Sequence, residues 1–260
     1  MSIPPRTGYL ESDVPLAFAH RGFSPRGTAI ENSLSAFQAA TEQGFSYLET
    51  DLRTSADGVL MVFHDLKLDR ATNGKGKLSR RSAAELSNLL IGGSEAIPSF
   101  EEMVLTFPEA RINFDIKDAA SVEPLIEVIE KHSLHHRICV ASFADRRRRA
   151  VLRRLSQATT SSGGMASIAA FVLLSGWLPR GLMRGVLHDV DCLQLPVSWG
   201  IFRLITEKSV QRAHALGLKM HAWTINDKQQ MHALFDLGVD GVMTDRADLL
   251  AEVMRERGYW

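Results

Sequence analysis

Along most of the chain, apolar and polar positions fall into short blocks whose period switches between strand and helix. Leu16 to Ala19 is an unbroken apolar run ending at His20, the pattern of a buried strand. Gly22 and the Pro25 to Gly27 segment read as a loop. Leu34, Phe37 and Ala40 then recur at helical spacing within Glu31 to Gln43, and Gly44 stops that helix. Tyr47 to Arg53 is a second strand, and an Asp57-Gly58 turn leads into the apolar run Gly58 to His64. From Asp69 to Ser94 the text becomes polar and rich in Gly and Lys, with one helix-like piece at Ser82 to Leu90. Because strands resume afterwards, this segment reads as an insertion folded against the main body.

The alternation then continues to the end. Helices are predicted at Ser99 to Phe107, Val122 to His132, Asp145 to Leu155, Glu207 to Leu216, Asp227 to Leu237 and Ala247 to Glu256. Strands are predicted at Arg111 to Lys117, Arg137 to Phe143, Ala158 to Ser161, Cys192 to Pro196, Leu218 to Ile225 and Gly241 to Thr244. Close to eight strand-helix units in 260 residues predict an α/β fold, a parallel (β/α)8 TIM barrel. The barrel forms one domain over residues 1–260, with the insertion at about 69–94. Active residues of such a barrel belong at the C-terminal ends of its strands.

A 45% hydrophobic, 23% charged composition is that of a globular chain with a large core. Thirty basic residues balance thirty acidic ones, so no global field points to nucleic acid or an anionic surface, and any anion selectivity is local. The Arg146 to Arg149 cluster, with no aromatic platform beside it, reads as a solvated outer helix face. Cys139 and Cys192 stand in neither a metal nor a redox spacing and read as buried thiols of a cytoplasmic protein. The first fifteen residues lack the apolar stretch of a secretory signal, which argues against export by that route. The longest apolar run, Ala166 to Leu178, is too short for the ~20 residues of a membrane span. A core helix is its plain reading, and a substrate-facing lip or an interfacial patch is the alternative.

The chemistry concentrates between His20 and Asp65. Glu49 and Asp51 alternate to the same side of one strand, about 6.6 Å apart along it, a geometry suited to clamping a metal. His20 and His64 bracket them, and an imidazole with an ordinary pKa near ~6.5 serves as acid or base at neutral pH. Asp115 and Lys117 likewise share one face of a later strand, where buried charges need partners.

Through His20-Arg21-Gly22, Glu31-Asn32, Glu49-Thr50-Asp51, Asp57-Gly58, Phe63-His64-Asp65 and the Leu68 to Gly76 stretch, the chain resembles the glycerophosphodiester phosphodiesterase family. The resemblance runs from Leu16 to about Leu250 and thins between Ala144 and Asp191. It implies hydrolysis of glycerophosphodiesters to glycerol 3-phosphate and an alcohol, with His20 and His64 as proton-transfer residues. Arg21 and Lys117 are then phosphate contacts and Trp223 a substrate contact. Glu49, Asp51 and Asp115 are the ligands of a divalent metal, and all-oxygen donors suit Mg2+, Ca2+ or Mn2+. Where this chain has Asp115 the family more often has Glu, a departure toward a shorter carboxylate. Glu31 is placed at the opening of the first helix, near the metal or supporting its loop, and Asp245 is taken as structural. The nucleophile is either the substrate's own glycerol hydroxyl or water. The partner is a small-molecule substrate, with no nucleic acid and no transmembrane segment. The alternatives are a lysophospholipase D, with Ala166 to Leu178 and Trp177 as an acyl groove, and a barrel that binds phosphoesters without turnover.

Overall fold

Leu16–His20 (β1) hydrogen-bonds on one side to Tyr47–Thr54 (β2) and on the other to Gly241–Thr244, the last strand of the chain. First and last strands thus meet, which is how a parallel sheet rolls into a barrel. The computed structural model describes residues 7–25 and 29–260. The remaining barrel strands are Arg111–Ile116 (β3), Ile138–Ala141 (β4), Thr160–Ser161 (β5), Cys192–Leu195 (β6) and Lys219–Ala222 (β7), with Gly241–Thr244 as β8, while Leu60–Val62 pairs antiparallel on the end of β2. All eight pair in parallel in chain order, from β5 through β1 and β8 to β6. A bridge between Ser162 and Cys192 closes the ring, with the Gly163 N–H donating to the Cys192 carbonyl at 3.0 Å.

Helices follow the strands: Leu34–Glu42 (α1), Phe100–Thr106 (α2), Val122–Lys131 (α3), Asp145–Leu152 (α4), Met165–Leu174 (α5), Arg180–Val186 (α6), Glu207–Ala215 (α7), Lys228–Asp236 (α8) and Ala247–Glu256 (α9). Among the described residues, no helix is long and apolar enough to cross a membrane. The core lies between the outer face of the sheet and these helices, through residues such as Leu48, Phe114, Val140 and Leu250. Alternate strand residues face inward. At the N-terminal end of the barrel Tyr9 plugs the interior, its carbonyl accepting from the Tyr47 hydroxyl at 2.6 Å. Cys139 and Cys192 are buried in this layer with their sulfurs 4.0 Å apart, though 53 positions separate them in sequence.

The insertion forms its own small core from Phe63, Leu68, Leu78, Leu86 and Ile91. Its helix-like piece is a single turn, Ala83–Leu86, held by a capping box between Ser82 and Glu85. It is tied to the barrel by the Ala83 N–H donating to Asp57 at 2.9 Å.

Three expectations change. The first helix begins at Leu34, capped by the Ser33 hydroxyl, and not at Glu31; Asn32 takes a left-handed φ of 60°, which the helix cannot include. Of the predicted Pro25 to Gly27 loop, 26 and 27 lie outside the described residues. The basic helix α4 is not a solvated face: Arg148 is fully buried, donating to Asp145 at 2.9 Å and to Asp189 at 3.1 Å, and Arg149 also reaches Asp189. Nor is α5 a core helix, since only Ser167 and Phe171 of its ten residues are buried.

Candidate active site

Register brings the charged residues together. β2 places Asp51 beside Asp115 and Glu49 beside Asn113 on β3, while His20 at the end of β1 lies beside Glu49. After His20 the chain reverses sharply: Arg21 and Gly22 both take positive φ, 57° and 79°. At Gly22 the backbone passes so close to α1 that an added Cβ would lie 2.6 Å from the Ala36 carbonyl carbon, so only glycine fits. This reversal turns Arg21 back over the barrel, where its guanidinium meets Asp51 at 3.0 Å and Glu31 at 3.1 Å.

Asp51 is the most heavily engaged group. Lys117 lies 2.8 Å from it and 2.6 Å from Asp115, and the Asn32 amide donates to it at 3.2 Å. Burial works against the Asp51 charge, but Lys117 and Arg21 hold its pKa below the usual carboxylate value. Asp115, with burial uppermost, is raised. Among the described residues Glu49 has no lysine or arginine side chain in close contact: the Arg21 backbone N–H donates to it at 3.3 Å and His20 Nε2 is 3.7 Å away. Burial pushes its pKa up to about 7.

Both predicted histidines line the same cavity, and each is oriented by a carboxylate. His20 Nδ1 is 2.6 Å from Asp245, whose other oxygen accepts from Asn226 at 2.8 Å. His64 Nδ1 is 2.6 Å from Asp65, which Arg70 holds at 2.6 Å while also gripping Glu31. A carboxylate facing Nδ1 fixes the proton there and leaves Nε2 for chemistry. Burial lowers the His64 pKa, with Asp51 and Asp65 only partly offsetting it. Burial also opposes charge on His20, but Glu49 and Asp245 outweigh it and raise the pKa.

The cavity measures about 570 Å³ and has two halves. One carries Arg21, Glu49, Asp51, Asp115, Lys117 and the two histidines; the other is apolar, with Ile168, Leu173, Trp199 and Phe202 in its wall. Trp223 stands within the cavity wall and packs edge-on against Phe143 at 5.9 Å, so it both lines the cavity and supports its rim. Trp177, expected in an acyl groove, lies outside the wall. Sequence reading missed three contributors, Asn226, Asn113 and Gln194, and took a fourth, Asp245, as structural. Asp245 and Asn226 position His20, and Asn113 and Gln194 meet each other across the barrel at 2.8 Å. Strand alternation marks Asn113, two residues before Asp115, as inward-facing; nothing local in sequence marks Asn226.

Three carboxylates at adjacent strand ends are a donor set that fits a hard divalent ion in kind, and buried Glu49 is a group such an ion would hold ionised. Lys117 occupies the space between Asp51 and Asp115. Among the described residues no three His, Cys, Asp or Glu side chains converge as a ready cage.

A parallel barrel whose mouth sets two carboxylate-held histidines beside cationic side chains has the equipment of a hydrolase for phosphate esters. Residues 20–249 match the model of the glycerophosphoryl diester phosphodiesterase family, and the chain belongs to that family. It is 38% identical over 256 residues, 98% of this chain and 97% of the other, to a Mycobacterium tuberculosis protein named "Probable glycerophosphodiester phosphodiesterase 2". It is 25% identical to a Homo sapiens lysophospholipase D, over 87% of this chain and 82% of that one. In fold it is similar to an Oleispira antarctica phosphodiesterase solved with the product sn-glycerol-3-phosphate, with a TM-score of 0.74, 24% identity, and 93% and 97% of the two chains covered.

Proposed function

We propose that the chain hydrolyses glycerophosphodiesters to glycerol 3-phosphate and an alcohol, in the cytoplasm, with His20 and His64 moving the protons. The carrying observation is that two imidazoles, each fixed at Nδ1 by its own carboxylate, present Nε2 to one cavity that also holds Arg21 and Lys117. A phosphodiester needs a nucleophile deprotonated and an alkoxide protonated as it leaves, and two imidazoles divide those tasks. Arg21 and Lys117 bind the phosphate oxygens and offset charge growing on them. Trp223 and Phe143 offer flat apolar surface to the glycerol carbons. Glu49, Asp51 and Asp115 would hold a divalent ion, Mg2+, Ca2+ or Mn2+, which supplies Lewis-acid neutralisation of the phosphoryl group.

The test is release of glycerol 3-phosphate from glycerophosphocholine with each ion and with chelator. Chelator-sensitive release is expected; no release by folded, metal-loaded protein sinks the proposal. Glu49→Gln should weaken ion binding by about tenfold or more in titration calorimetry, with partial recovery of activity at high metal, and an unchanged affinity removes Glu49 from the ligand set. The apolar half of the cavity supports a second reading, a lysophospholipase D that accommodates one acyl chain there. Release of lysophosphatidic acid from lysophosphatidylcholine, at a kcat/KM above that for glycerophosphocholine, would promote it.

A further inference from the structure

Helix α5, Met-Ala-Ser-Ile-Ala-Ala-Phe-Val-Leu-Leu, is apolar at every position but Ser167, yet only Ser167 and Phe171 are buried. A helix apolar on every side belongs in a core or against lipid, because in water its outer face gains nothing. Its cavity-facing side continues outward without a polar break: Leu173 lines the cavity and is still 67% exposed. Opposite, the hairpin of Ser198–Trp199 and Phe202–Arg203 repeats the arrangement, with Phe202 lining the cavity at 68% exposure. Ile201 at the hairpin tip is 93% exposed, and Trp177, just beyond α5, is 88% exposed. Monomeric proteins rarely display contiguous large apolar side chains in water, and such patches mark binding surfaces.

The charge of the same region names the occupant. Residues 162–188 and 192–206 contain no Asp or Glu, and they carry exposed Arg180 and Arg203. Neither arginine forms an ion pair among the described residues; Arg203 is held by the Ile205 carbonyl. A chain of zero net charge has thus segregated an acid-free, arginine-bearing apolar face at the cavity mouth. Aromatic and aliphatic tips interleaved with arginine match the boundary of an anionic bilayer, where apolar tips enter the acyl region and guanidinium groups meet the phosphates. We propose that the exposed faces of α5 and the 198–203 hairpin dock the protein on an anionic phospholipid surface, with the cavity mouth facing the lipid.

Flotation with phosphatidylcholine vesicles and with phosphatidylcholine–phosphatidylglycerol vesicles tests this. Preferential binding to the anionic vesicles is expected, weakened several-fold between 0.1 and about 0.5 M salt. Trp177→Ser with Ile201→Ser should reduce partitioning by about tenfold or more. Both positions lie outside the cavity wall, so melting temperature and glycerophosphocholine turnover should stay unchanged; because flotation needs no turnover, failure of the proposed activity reads out separately. Binding to neither vesicle, or equal binding to both, overturns the proposal. A solution dimer that the double substitution dissolves also overturns it, by assigning the face to a second copy.

Discussion

His20→Ala should lower turnover of glycerophosphocholine by roughly 10²- to 10⁴-fold, with His64→Ala in the same range. Each imidazole is individually buttressed, so neither replaces the other: His20 is pinned by Asp245 and Asn226 from the β7 and β8 ends, His64 by Asp65 and Arg70 from the insertion. Asp245→Ala gives a graded control, since His20 remains but its ring is released. A loss intermediate between wild type and His20→Ala, with KM little changed, is the expected outcome. The kcat pH profile is the second readout. Asp245 is among the groups raising the His20 pKa, so its removal should shift the limb belonging to His20 toward lower pH. Full activity in His20→Ala would remove that residue from the chemistry, and an unmoved pH profile in Asp245→Ala would dissolve the pairing.

Arg148→Ala should lower the free energy of unfolding by about 3–5 kcal/mol, the cost of stranding buried carboxylates without their cation. Arg148 is fully enclosed and faces both Asp145 and Asp189, with the Asp189 carbonyl accepting from it at 2.7 Å. Arg146→Ala, on the exposed side of the same helix, should change stability by less than about 0.5 kcal/mol. Denaturant titration separates the two, and equal small effects would show that the cluster is not structural. Acid should act on the same knot. Burial opposes the Asp189 charge, but Arg149 and Arg148 depress its pKa to about 2. A depressed carboxylate contributes fully above its unfolded value near ~3.9, so this stabilisation is present at neutral pH and lost as pH falls toward about 2. The knot also bears on the cavity: Asp145 accepts from the Ala166 N–H at 2.9 Å and from the Ser167 hydroxyl at 2.5 Å, anchoring the start of α5.

The barrel was legible because its strands are written as apolar runs ending in charge, and local periodicity survives folding. Glu49, Asp51, Asp115 and Lys117 were legible for the same reason, two-residue spacing on a strand. What local pattern cannot convey is pairing across the fold. Four consecutive arginines read as a solvated face because the acid shared by Arg148 and Arg149, Asp189, lies 40 positions from Arg149. Asp245 read as structural because the histidine it orients is 225 positions away. The start of α1 was misjudged because Glu31 suits a first helical turn, whereas Asn32 is held in a left-handed conformation, its side chain accepting from Thr50 at 2.8 Å and donating to Asp51. The apolar α5 was mistaken for core because hydrophobicity alone does not say whether protein or something else will cover it.

The plug formed by Tyr9 makes the barrel a blind alley. Under the proposed reaction substrate and both products share the C-terminal mouth, where Arg21 and Lys117 would hold glycerol 3-phosphate more firmly than the alcohol, so the alcohol is expected to leave first. Product-inhibition assays should then find glycerol 3-phosphate competitive with substrate and the alcohol noncompetitive.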